Sequence, residues 1–85
     1  MSENIFMDDN QFKKFIKSMK EMGLKRKPKD RSTFPLDFLV FYKGFELNFE
    51  FLTDNLTFYF ANYKEGEAEK RILREIKKKI EAAIN

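Results

Sequence analysis

The sequence predicts a two-layer α+β domain in the order helix, strand, strand, strand, helix, with a three-stranded antiparallel meander and both helices on one of its faces. Three observations predict it. Apolar residues recur at helical spacing over residues 12–22, alternate with period two over residues 45–51 within a phenylalanine-rich stretch, and return to helical spacing over residues 72–84. The chain has 85 residues, room for one core, so residues 1–85 are read as a single domain. Eleven phenylalanines supply much of that core, each worth about 1.5–3 kcal/mol when fully buried.

The first helix is expected to open at Asp8. Asp8 and Gln11 have capping-box spacing, and Met7 and Phe12 stand at the positions of a hydrophobic staple. Phe12, Phe15, Ile16, Met19 and Met22 form its apolar stripe, and Lys13, Lys14, Lys17 and Lys20 fall on the other side. Gly23 supplies a left-handed stop. Residues 1–7 are expected to be a flexible arm, and residues 24–35 a basic loop that Pro28 and Pro35 keep from being helical.

Strands are expected at about 36–42, 45–52 and 56–63. The second alternates Phe45, Leu47, Phe49 and Phe51 against Glu46, Asn48 and Glu50. A two-residue turn at Lys43-Gly44 pairs Tyr42 with Phe45, Val40 with Leu47 and Phe38 with Phe49, apolar on apolar at each rung. The same register sets Asp37 against Glu50, a like-charge pair. A turn at Asp54-Asn55 pairs Phe51 with Phe58 and Phe49 with Phe60. The last helix follows Gly66 and buries Ile72, Leu73, Ile76, Ile80, Ala83 and Ile84, with Arg71–Glu75 and Lys77–Glu81 as i,i+4 ion pairs on its wet side.

Composition narrows the function classes. There is no His, Cys or Trp, so the usual neutral-pH base, disulfides and His/Cys zinc sites are excluded. No Gly-rich phosphate loop and no metal-ligand spacing occur. The chain is expected to be non-catalytic, without cofactor, metal or evident small-molecule substrate. The only carboxylate pair to weigh is Asp37 with Glu50, which reads as a tolerated surface clash. No run approaches the ~20 apolar residues of a membrane span, and the acidic start lacks a signal-type apolar run; a cytoplasmic protein is expected, with no membrane partner.

The net charge of +3 is unevenly spread. Residues 13–31 hold nine bases against Glu21 and Asp30, so one segment carries the positive field. That segment predicts a nucleic-acid-binding module that contacts the phosphate backbone through Lys13, Lys17, Lys20, Lys25, Arg26, Lys27, Lys29 and Arg31. No base-reading constellation accompanies them, so DNA and RNA are equal candidates. The bland alternative is a solvated helix face followed by a polar loop.

A second reading rests on the sheet face turned away from the helices. Leu39, Phe41, Tyr59 and Tyr63 form a candidate protein interface there, with Glu46 and Glu50 between the aromatics. The protein is then a small regulator or inhibitor of the phage or mobile-element type. It would act through the open face or a sheet edge, alone or as a homodimer. Against this stands an ordinary sheet face packed across its strands or covered by the 1–7 arm.

The order helix–three strands–helix, over about residues 8–84, also resembles the double-stranded-RNA-binding domain. That family enters the minor groove with a long loop between its first two strands, where this chain has the tight turn Lys43-Gly44. It places a lysine cluster at the start of its last helix, where this chain has Glu67-Ala68-Glu69-Lys70. Only the first helix matches among the three contact regions. HicA-type toxins share the order but need a catalytic His. The chain is assigned to neither family.

Overall fold

The computed structural model of the protein describes residues 2–28, 37–61 and 66–85. The fold is α+β: β1 (Glu3–Phe6), α1 (Asp9–Ser18), β2 (Lys25–Pro28), β3 (Asp37–Tyr42), β4 (Phe45–Leu52), β5 (Asn55–Phe60) and α2 (Glu67–Ile84). All strand pairs are antiparallel, and the spatial order is β1-β5-β4-β3-β2. The expected three strands are thus the centre of a five-stranded sheet. Residues 1–7, expected as a free arm, contain β1 on the outside of β5, and the expected basic loop begins as β2 on the outside of β3. Both added strands have four residues, too few for an alternation to be distinctive. They are held by the edges of the central strands. The helix–three strands–helix order shared with double-stranded-RNA-binding domains therefore describes only part of this chain.

The first helix forms as its sequence dictates. Asp8 accepts the Gln11 N–H at 2.8 Å, and the Gln11 side chain accepts the Asp8 N–H at 2.9 Å, which completes the capping box. At the other end Gly23 has φ +79. Its N–H donates to Lys20 O at 3.1 Å and the Leu24 N–H to Met19 O at 2.9 Å, the paired bonds of a Schellman stop. This stop turns the chain from the helical layer down into β2.

The β3–β4 hairpin has the expected register on every rung, from Tyr42–Phe45 to Asp37–Glu50. Lys43 (φ +49) and Gly44 (φ +84) make the left-handed turn. The β4–β5 hairpin differs. Its turn is Thr53-Asp54, with Thr53 at φ +58, and Phe51 pairs with Leu56, Phe49 with Phe58 and Leu47 with Phe60. The shift from the expected register is two residues. A slip of two leaves every side chain on its original face, so alternation alone is blind to it. The observed turn lets Asn55 start β5, where it pairs Leu52 on one side and Phe6 on the other, while the Met7 N–H donates to Asp54 O at 3.0 Å.

The inner sheet face carries Ile5, Phe38, Val40, Tyr42, Leu47, Phe49, Phe51, Leu56, Phe58 and Phe60, all buried. Helix α1 lays Phe12 on Phe51 (centroids 4.1 Å apart) and Phe15 on Phe49 (5.9 Å). Ile72, Leu73, Ile76, Ile80 and Ile84 of α2 join the same core. The i,i+4 pairs expected on α2 give way to tertiary partners: Lys43 holds Glu75 at 2.7 Å and Lys77 holds Glu3 at 3.3 Å. Lys79 reaches Met22 O at 3.5 Å and sits over the Tyr42 ring.

Candidate nucleic-acid interface and open sheet face

The candidate phosphate contacts fall on two elements joined by the Gly23 stop. Lys13 and Lys17 lie one turn apart on α1, about 6 Å at 1.5 Å per residue, and Lys20 follows in the turn between α1 and the Gly23 stop. With Lys14 they are exposed. Lys25, Arg26 and Lys27 lie on β2, the outer strand of the sheet, and are also exposed. Strand alternation splits these three. Lys25 pairs with Phe41 and Lys27 with Leu39, on the open face, whereas Arg26 pairs with Val40 on the helix side and stands over the Phe38 ring at 4.6 Å. The cations therefore wrap around the β2 edge instead of lining one plane. Lys29 and Arg31 lie outside the described residues, as does Tyr63.

None of Lys13, Lys14, Lys17, Lys20, Lys25 and Lys27 has a carboxylate partner among the described residues, in contrast to Lys43 and Lys77. Glu75 consequently has its carboxyl held below the ordinary range, chiefly by the Lys43 hydrogen bond. Lys43 is raised by the same contact with Glu75. These paired charges are internally compensated, and the six lysines are not.

The open face is built differently from the expected patch. Phe41 lies between Lys25 and Glu46, and Leu39 between Lys27 and Asn48, so both are half-buried among polar neighbours. The lysine stems account for part of that cover. Tyr59 donates its hydroxyl to Glu50 Oε1 at 3.0 Å, beside the Asp37–Glu50 rung. The like-charge pair is thus tempered by a hydrogen-bond donor. Asn48, flanked by Leu39 and Tyr59, is only 6% exposed, and its Oδ1 has no hydrogen-bond partner among the described residues.

Among the described residues the large exposed apolar side chains are Phe6 at 82% and Leu52 at 65%; the open-face position of Leu52 follows from strand alternation, whereas Phe6 was expected in a flexible arm, and neither was among the candidate interface residues. They flank Asn55 on the open face. The N-terminal segment does not cover this face; it extends the sheet at its edge. Glu3-Asn4-Ile5-Phe6 does alternate inward and outward, a signal present in the sequence but four residues long.

Partial burial, then the hydrogen bond to Glu50, then the Glu50 and Asp37 charges hold the Tyr59 hydroxyl above its ordinary value. An unfolded tyrosine ionises near pH 10, so the folded state keeps this proton while the unfolded chain loses it. The associated stability is complete below about pH 10 and lost as pH rises through the raised folded value. Urea midpoints between about pH 9 and pH 11 should fall more steeply in wild type than in Tyr59→Phe. Equal slopes would refute this assignment.

Among the described residues no group of three or more His, Cys, Asp or Glu is placed to hold a metal. Open depressions of about 340 and 350 Å³ lie along α2, lined by Glu3, Glu67, Lys70, Leu73 and Arg74 and by Arg71, Arg74, Glu75 and Lys78. Neither includes Asp37, Glu50 or Tyr59. No described helix is long and apolar enough to cross a membrane. Comparison with protein-family models, curated proteins and solved structures finds no match to this chain.

Proposed function

We propose that this protein is a non-catalytic nucleic-acid-binding module that grips the phosphate backbone through α1 and the β2 edge. The observation that carries the reading is the set of six exposed lysines, Lys13, Lys14, Lys17, Lys20, Lys25 and Lys27, without a carboxylate partner among the described residues. Such uncompensated charges would displace the counterions condensed along a phosphate backbone. Arg26 adds a cation at the same edge. The acidic middle of the open face, with Asp37, Glu46 and Glu50, disfavours strand stacking there, so the ligand lies along the helix and edge. No side-chain pattern for reading bases accompanies the lysines, so binding is expected to be weakly specific.

The test is affinity for a mixed panel of single- and double-stranded DNA and RNA as a function of salt. If all six lysines neutralise a phosphate, log K against log salt has a slope of about −5 on duplex DNA, six times −0.9. Absence of binding at low salt, or an affinity indifferent to salt, would overturn the reading.

A further inference from the structure

We propose that β1 is a self-association edge, through which two copies of this chain join their sheets into one. The two edges of the sheet are built in opposite ways. β2 reads Lys25-Arg26-Lys27-Pro28, and edge lysines together with a proline lacking its N–H are the devices that stop strand addition. β1 reads Glu3-Asn4-Ile5-Phe6 and has neither. Its one charge, Glu3, is already taken up by Lys77 at 3.3 Å.

The backbone of β1 is available for pairing. Because the Met7 N–H bonds to Asp54 O, alternation along the strand turns the N–H and C=O groups of Ile5 and Glu3 toward β5. Those of Asn4 and Phe6 then point away from the sheet. Antiparallel pairing about Ile5 sets Asn4 against Phe6 of the second copy, and Phe6 against its Asn4. Both outward-facing residues are then engaged, and the helices of both copies stay on one side. In this register the two Phe6 residues are diagonal neighbours, about 7–8 Å apart and within reach for aromatic rings. That accounts for a phenylalanine left 82% exposed.

Charge selects a second copy as the occupant. β1 and β2 are at opposite edges of the five-stranded order, four strand spacings or about 19 Å apart. A dimer through β1 keeps Lys25 and Lys27 of the two copies, on β2, at its outer ends, where their repulsion is least. The two Phe6 rings bring about 150–250 Å² each, and a four-residue edge is short, so the interface falls in the small class of weak, concentration-dependent contacts.

Sedimentation without nucleic acid tests this independently of the nucleic-acid reading. The mass should rise with concentration from 10.3 kDa toward twice that value. Phe6→Lys, which places a lysine on the edge without disturbing the core, should remain monomeric, and Phe6→Thr, which keeps a strand-forming residue, should associate more weakly than wild type. Phe41→Glu, on the open face away from β1, should associate as wild type does. A wild type monomeric throughout, a Phe6→Lys variant that associates undiminished, or association lost in Phe41→Glu and kept in Phe6→Lys would each overturn the proposal. The last outcome would move the contact to the open face.

Discussion

Replacing Phe49 with alanine should cost about 3–5 kcal/mol, the range for emptying a buried phenylalanine site. Phe49 is fully buried. Its ring stacks on Phe58 at 4.9 Å, Phe38 at 5.7 Å and Phe15 at 5.9 Å, so one side chain joins β3, β4, β5 and α1. Partners contributed by two neighbouring strands and a helix cannot all collapse into the vacated volume, which places the loss toward the upper part of the range. A domain of 85 residues has a total stability of only about 4–13 kcal/mol at typical per-residue values. Phe49→Ala should therefore leave a substantial unfolded fraction at room temperature. Urea denaturation followed by circular dichroism measures the effect. The exposed Phe6→Ala should stay within about 0.5 kcal/mol of wild type in the same experiment. A Phe49→Ala loss below about 1 kcal/mol would mean that the ring stack does not organise the core as described.

The second large effect is on binding. Reversing Lys17, Lys20 and Lys25 to glutamate removes three contacts on either side of the Gly23 stop and adds repulsion. The salt slope on duplex DNA should fall by about 3 in magnitude, and affinity at low salt should drop on the order of a hundredfold. All three side chains are exposed and lack carboxylate partners among the described residues, so folding should be little changed. Lys43→Gln removes a cation that Glu75 already compensates and serves as the control, with binding unaltered. If the triple variant binds as wild type does, the phosphate contacts lie elsewhere, and α1 with the β2 edge is an ordinary solvated surface.

How far the fold could be read from the chain depended on how many independent signals each element carried. The capping box fixed the start of α1, and Gly23 fixed the stop after the turn that follows it, both through local hydrogen bonds, and the β3–β4 hairpin combined an eight-residue alternation with a left-handed turn. The β4–β5 hairpin had alternation but two competing turn positions, and a slip of two residues costs nothing in facial pattern. β1 and β2 had almost no local signal, because four residues placed at a sheet edge owe their conformation to the strand beside them. The candidate site shows the same division. The identity of the basic residues was legible, but their distribution around both sides of an edge followed from the pairing of β2 with β3.

What the sequence by itself determined is the α+β class, the apolar sides of both helices, the inner face of the central strands and the concentration of positive charge in residues 13–31. These are properties of periodicity and local chemistry, which act between near neighbours in the chain. The tertiary structure alone decided that the sheet has five strands, that Lys43 and Lys77 are neutralised by Glu75 and Glu3, and that Phe6 stands exposed on an edge strand. Each depends on which residues distant in sequence come to lie side by side, and backbone pairing at the sheet edges chooses those neighbours with little regard to the side chains it brings along.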